Sequence, residues 1–128
     1  MLRVAQMPIR RRRSSRRQRI LVVDTVVESR DAAVRQLWRE GYELTATDSM
    51  DAACAIVWAG QPELVLINLS AFPVLSLCRL GRALSLRPNI RVLGLVSQFR
   101  ADGMPTTRVV RLPRGDALTF GFQSSHPN

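Results

Sequence analysis

The stretch Glu63-Leu64-Val65-Leu66-Ile67-Asn68-Leu69 decides the fold of this chain. Five of its seven residues are large and apolar and do not alternate with polar ones, which is typical of a strand buried on both faces of a parallel sheet. Turn-forming residues precede it at 60–62 and follow it at 70–73. Asn68 stands where this strand should end, and ligands of open α/β sheets usually bind at the carboxyl ends of the strands. Asn68 is therefore the first candidate for a functional residue.

Further strand and helix patterns alternate along the chain on both sides of this stretch. Strands are predicted at residues 20–24, 42–47, 90–96 and 108–112, and apolar residues recur at helical spacing over residues 28–40, 49–60 and 73–87. This alternation predicts an α/β fold with a doubly wound, five-stranded parallel sheet in a three-layer sandwich. Residues 97–107 are too few for a full crossover helix, so the fourth helix is expected to be shortened or missing. After Pro113, only residues 116–122 are expected to be helical.

Positive charge is concentrated at the amino terminus of this 128-residue chain. Residues 1–19 contain eight arginines and no acid, whereas residues 20–128 contain eleven arginines and ten acids. Because like charges repel and this segment has little to bury, we expect a disordered tail at 1–19, a folded domain at 20–122 and a frayed end at 123–128. Three interpretations of the tail stay open: a solvated segment (which a true start at Met7 would also explain), a polyanion-binding element, and a targeting peptide. The candidate polyanion-binding residues are Arg10, Arg11, Arg12, Arg13, Arg16, Arg17 and Arg19.

The residue types that usually build cofactor and metal sites are sparse. Cys54 and Cys78 have neither metal-site nor disulfide spacing, so both are expected to be reduced in a cytoplasmic protein. The only histidine, His126, lies near the carboxyl end, and no glycine-rich phosphate loop is present. No apolar run approaches the ~18 residues of a transmembrane helix. The sequence therefore predicts no cofactor, no metal and no catalytic residue.

Four stretches of the chain resemble the receiver domain of response regulators, the phosphoacceptor module of two-component signalling. They are Arg19-Ile20-Leu21-Val22-Val23-Asp24, Glu40-Gly41-Tyr42-Glu43, Pro62-Glu63-Leu64-Val65-Leu66-Ile67 and Ile90-Arg91-Val92-Leu93-Gly94-Leu95. The resemblance covers about residues 19–97, and residues 108–113 fit the fifth strand loosely. It implies a flavodoxin-like fold. Most of these are core and turn positions, so the resemblance is more specific for fold than for activity.

The resemblance also implies where a phosphoacceptor site would lie. In that family, two acids after the first strand help to bind Mg²⁺, an aspartate ending the third strand accepts the phosphoryl group, and a hydroxyl and a lysine assist from the fourth and fifth strands. Asp24 matches the first acid, whereas Thr25 replaces the second. Asn68 stands at the acceptor position, Val96 at the hydroxyl position and Leu112 at the lysine position. Only one of the five chemical positions is kept, so we interpret the chain as a degenerate pseudo-receiver.

The substitutions remove the chemistry of phosphoryl transfer. A carboxylate oxygen can attack phosphorus, but the carboxamide of Asn68 is a poor nucleophile. Mg²⁺ requires charged oxygen ligands, and Asp24 alone is expected to hold it weakly at most. Val96 and Leu112 offer no polar group to a phosphoryl oxygen. We therefore expect no phosphoryl transfer to this site.

The end of the chain contains a candidate interaction surface. Val109, Val110, Phe120 and Phe122 are apolar residues in and after the predicted fifth strand. Two interpretations stay open: these residues close the core, or they form a surface for a protein partner or for a second copy of the chain.

Two functional hypotheses of different classes follow, with a third that has less support. The first is a receiver-like module in a bacterial two-component or related pathway, which acts by protein–protein interaction and is not an enzyme. The alternative is a nucleic-acid-associated protein that binds non-specifically through its arginine tail. An enzyme using the same sheet edge is the weakest, because paired carboxylates, histidine and lysine are missing there.

Overall fold

The computed structural model describes residues 17–112. These residues form five strands and three α-helices that alternate up to the fourth strand. In chain order they are β1 (Arg19–Val23), α1 (Val27–Arg39), β2 (Glu43–Thr47), α2 (Met50–Trp58), β3 (Leu64–Asn68), α3 (Val74–Ser85), β4 (Arg91–Phe99) and β5 (Pro105–Arg111). A 3₁₀ turn at Leu69–Ala71 follows β3. The predicted α/β fold class is confirmed at this level.

The five strands form one sheet in the order β2-β1-β3-β4-β5. β1, β2, β3 and β4 pair in parallel, but β5 pairs antiparallel with β4. The prediction that all five strands are parallel is therefore wrong. A tight turn connects the last two strands, in which Arg100 donates its backbone N–H to the carbonyl of Met104 at 2.9 Å. A hairpin needs only a few linking residues, whereas a parallel crossover needs about a dozen or more.

The two faces of the sheet are covered differently. Because β2 and β3 lie on opposite sides of β1, right-handed crossovers place α1 on one face and α2 with α3 on the other. Strand residues Leu21, Val65 and Val92 lie side by side on the face that packs against α2 and α3. The helices contribute to this core Met50, Ala53, Val57, Leu77, Leu80 and Leu84. α1 contributes no buried residue.

The amino-terminal boundary of the folded part differs by one residue from the prediction. Arg19, assigned to the tail from sequence, is the first residue of β1. Its backbone N–H donates to the Glu63 carboxylate at 3.0 Å, and its Nε donates to the Gln61 carbonyl at 2.5 Å. The predictions for residues 1–16, for a helix at 116–122 and for a frayed end at 123–128 lie outside the described residues.

Two other properties expected from the sequence concern the cysteines and the membrane. Cys54 and Cys78 are both thiols outside any disulfide bond, and both are partly buried. Burial raises the pKa of the Cys54 thiol, and Arg79 opposes that shift. Within residues 17–112, no helix is both long enough and apolar enough to cross a bilayer.

Candidate functional site

The structure brings Asp24 and Asn68 together at the carboxyl edge of the sheet. β1 and β3 are parallel neighbours with Val23 opposite Ile67, so the next residue of each strand emerges at the same place. The Asn68 amide nitrogen donates to Asp24 Oδ1 at 3.0 Å. Asp24 is 1% exposed and Asn68 6% exposed. The pair is thus buried and directly hydrogen-bonded.

The Asp24 carboxylate is also bonded to the start of α1. Its Oδ1 accepts the backbone N–H of Val26 at 2.9 Å, and its Oδ2 accepts the hydroxyl of Ser29 at 2.5 Å. A buried carboxylate is costly unless hydrogen bonds compensate its lost hydration. These three bonds engage both oxygens, and the amino end of a helix favours a nearby negative charge. Asp24 therefore holds β1, β3 and α1 together.

Asn68 fits this position because it donates on one side and accepts on the other. Its Oδ1 accepts the backbone N–H of Ser70 at 3.0 Å, within the turn after β3. The Ser70 hydroxyl oxygen accepts the backbone N–H of Ser97 in β4 at 3.2 Å. An ionised aspartate at position 68 could accept from Ser70 but could not donate to Asp24. The amide therefore completes a hydrogen-bond network across β1, β3 and β4.

Ser29 is a site residue that sequence reasoning missed. Its hydroxyl bonds to the buried carboxylate five residues earlier in the chain. The available signal is a serine in the first turn of the helix that follows an acid-ended strand. That signal is weak, because serines are common near helix starts for capping alone.

The other predicted site residues have different surroundings from this buried pair. Thr25 is exposed, and Val96 packs partly buried against the core. Leu112 lies at the opposite, amino edge of the sheet, where its backbone N–H donates to the Val92 carbonyl at 3.3 Å. Leu112 therefore does not lie beside Asn68, because β5 runs in the reverse direction.

A close contact supports the turn after β3. The Leu69 side chain is 2% exposed and lies over Gly94 of β4. A Cβ atom added at Gly94 would come 2.7 Å from Leu69 Cδ1 and 3.3 Å from Val110 Cγ2. Real carbon atoms do not approach so closely, so the turn that Asn68 begins depends on glycine in the neighbouring strand.

Exposed apolar side chains occur at the same carboxyl edge of the sheet as the site. α1 and α3 each begin at this edge, because each follows a parallel strand, and β4 extends beyond the edge as part of the hairpin. Five exposed side chains lie at the starts of these two helices and at the end of β4. We call them the carboxyl-edge rim: Val26, Val27, Val74, Leu75 and Phe99. Leu75 is 79% exposed and Phe99 77% exposed. Large exposed apolar side chains at one edge of a sheet are candidates for an interaction surface.

The predicted interface residues do not form one patch. Val109 is 57% exposed, whereas Val110 packs against the core on the other face of the sheet. Neighbouring residues of a strand point to opposite faces, so these two cannot share a surface. Phe120 and Phe122 lie outside the described residues.

The polyanion-binding and metal predictions stay predictions, because the structure describes only part of the residues that they concern. Arg17 is exposed, and Arg19 is engaged with Gln61 as described above. The remaining five arginines of that set precede the described residues. Within residues 17–112, no group of three or more His, Cys, Asp or Glu side chains is arranged to hold a metal ion.

Comparison with known proteins does not identify a family. No family model matches the chain, and no curated protein matches it. The functional conclusion therefore depends on the chemistry of the Asp24–Asn68 site and of the surface around it.

Proposed function

We propose that this chain is a receiver-like module with a flavodoxin-like fold that does not accept a phosphoryl group and acts through protein–protein interaction. The observation that carries the proposal is the buried hydrogen bond from the Asn68 amide to Asp24 Oδ1, 3.0 Å long. It lies at the sheet edge where the family to which the resemblance points carries its phosphoacceptor. The pathway is a bacterial two-component system or a related one.

The chemistry of the pair argues against turnover. The amide nitrogen of Asn68 is delocalised and already donates to Asp24, so it offers no nucleophile to phosphorus. Both oxygens of the Asp24 carboxylate accept hydrogen bonds from protein groups. A Mg²⁺ ion would have to replace those bonds while gaining only one charged ligand. The pair holds the edge of the sheet in one conformation. In this proposal the chain acts as a binding module and not as an enzyme.

The surface around the site supports the interaction part of the proposal. The carboxyl-edge rim places exposed apolar side chains at the same edge of the sheet as the buried polar pair. Burying such side chains against a partner is favourable by about 25 cal/mol per Å² of apolar surface. A partner that docks there would bind the edge formed by β1, β3 and β4 without any covalent change to the chain.

Phosphoryl acceptance is tested by mass spectrometry. The full chain is incubated with acetyl phosphate and Mg²⁺, and its intact mass is compared with that of an active receiver domain treated in the same way. We expect no added phosphoryl group on this chain. A phosphoryl group on any aspartate would contradict the proposal.

The docking surface is tested by a matched pair of substitutions on α3. Leu75→Ser replaces a rim side chain at the start of the helix. Leu86→Ser replaces a leucine outside the rim, which is 57% exposed and lies just after the end of the helix. We expect Leu75→Ser to reduce recovery of a specific partner from the native cell and Leu86→Ser to leave it unchanged. Equal loss with both variants, or no loss with either, would argue against the rim.

The arginine tail supports a second candidate function, non-specific binding to nucleic acid. Eight arginines and no acid precede Ile20, and neutralising phosphates gives binding that weakens steeply with salt. Because Arg19 belongs to β1, the informative truncation removes residues 1–16 only. Duplex DNA binding at moderate salt by the full chain, lost in the truncated one, would favour this function over the first.

A further inference from the structure

A cavity of about 420 Å³ lies at the amino edge of the sheet, on the side that α1 covers. Its volume is within the roughly 300–1,000 Å³ that small-molecule sites occupy. Four aliphatic side chains from α1 and three different strands line it: Ile20, Leu37, Leu64 and Leu93. The Asp24–Asn68 pair lies at the opposite, carboxyl edge, so a ligand in this cavity does not depend on the proposed signalling function.

Two arginines line the same cavity, Arg91 at the start of β4 and Arg111 at the end of β5. Arg111 lies directly opposite Leu93 in the antiparallel pair. Leu93 comes two residues after Arg91, so all three side chains share one face of the sheet. The two arginines are therefore diagonal neighbours, a relation in which residues lie roughly 7–8 Å apart. Two long guanidinium side chains at that separation can reach one common anion.

No ion pair neutralises these two arginines within residues 17–112. Neither guanidinium group makes a hydrogen bond or a salt bridge to the described part of the chain. Glu40 is the one acid among the described residues that line the cavity, so two positive charges and one negative charge give the lining a net charge of +1. A single carboxylate balances that charge, whereas the arginines would repel a cation.

The two halves of the lining restrict the class of ligand further. Inorganic phosphate could bind the arginines but would leave the aliphatic wall in contact with water. A neutral hydrocarbon would cover the wall but would remove water from the guanidinium groups without replacing their hydrogen bonds, which is costly. A molecule that combines an apolar body with one acidic group satisfies both halves.

We propose that this cavity binds an amphiphilic anion, a small molecule with a hydrocarbon body and one carboxylate. The body packs against Ile20, Leu64 and Leu93, and the carboxylate accepts hydrogen bonds from Arg91 and Arg111. Hydrogen bonds between arginine and a carboxylate are charge-assisted and often bidentate, so they fix the orientation of the ligand. Burial of the hydrocarbon body provides the rest of the affinity.

Binding is measured on the full chain by a nuclear magnetic resonance titration with decanoate. Acetate has the carboxylate without the body, and decyltrimethylammonium has the body with the opposite charge. We expect decanoate to bind saturably and at least about tenfold more tightly than either comparison ligand. Nuclear Overhauser contacts should join its methylene protons to the methyl groups of Ile20, Leu64 and Leu93. Equal affinity for the three molecules, or no contact with these methyl groups, would overturn the proposal.

A matched pair of substitutions in β5 tests the arginines. Arg111→Gln removes a charge from the cavity, and Arg108→Gln removes one from an exposed arginine of the same strand outside it. Loss of a charge-assisted hydrogen bond should weaken decanoate binding by about tenfold or more in Arg111→Gln, and Arg108→Gln should leave it unchanged. Equal weakening in both variants would assign binding to net charge alone and overturn the proposal. Unchanged binding in the double variant Arg91→Gln with Arg111→Gln would also overturn it.

Discussion

Replacing Asn68 by aspartate tests the central contact of the site. The substitution keeps the size and shape of the side chain but exchanges a donor for a second carboxylate. That carboxylate would lie where an amide nitrogen is now 3.0 Å from Asp24 Oδ1, in a pair that is 1% and 6% exposed. The variant therefore loses the hydrogen bond to Asp24, and the neutral amide beside that carboxylate is replaced by a charged group.

The expected cost follows from electrostatics. Two like charges about 4 Å apart repel by about 4 kcal/mol at an effective dielectric constant near 20, and loss of a hydrogen bond to a charged group costs about 1.5–3 kcal/mol. Proton uptake by the pair limits the repulsion. For a carboxyl that ordinarily titrates near pH 4, binding a proton at pH 7 costs about 4 kcal/mol. We therefore expect Asn68→Asp to lower the free energy of unfolding at pH 7 by about 4 kcal/mol, a large part of the ~5–15 kcal/mol of a typical domain.

The pH dependence distinguishes this cause from simple loss of packing. Between about pH 4 and pH 7, the folded state of the Asn68→Asp variant binds one more proton than its unfolded state. The stability of the variant therefore decreases as pH rises through that window. Urea unfolding at several pH values measures the difference in free energy of unfolding between the variant and the unmodified protein. This difference should shrink by about 1.4 kcal/mol for each pH unit of acidification. Asn68→Ala is the control, because it also removes the hydrogen bond to Asp24 but adds no charge, and it should show no such slope. An Asn68→Asp variant as stable as the unmodified chain at pH 7, with a flat profile, would refute the buried pairing.

Three further experiments test other features of the structure. Gly94→Ala should destabilise the fold by about 1–3 kcal/mol by overpacking against Leu69, and adding Leu69→Ala should relieve part of that cost; additive effects in urea unfolding would argue against the contact. Ser29→Ala should cost about 1–2 kcal/mol, because a buried carboxylate loses one donor, and an unchanged unfolding midpoint would contradict that bond. Arg79→Met should slow alkylation of Cys54 at pH 8, because Arg79 lowers the pKa of this thiol against the larger effect of burial; a faster reaction, measured by peptide mapping, would contradict this.

The local pattern of the sequence determined most of the elements. Apolar runs without alternation predicted β1 and β3, because a strand covered on both faces has no polar side. Helical periodicity with turn residues at the ends predicted all three helices of residues 17–112. These signals need no knowledge of partners, since burial and backbone preference act within a few residues. The carboxyl-edge position of Asn68 followed from the end of its own strand.

Only the tertiary structure decided the direction of β5 and the bonds at the site. A run such as 108–112 has the same side-chain pattern whichever way it pairs, so its direction depends on the length and path of the preceding link. That link is short, and β5 returns as a hairpin, which moves Leu112 to the far edge of the sheet. The Ser29 bond likewise depends on how α1 is oriented over β1. Contacts between segments are set by geometry that no single segment contains, and for this reason they could not be predicted from the sequence.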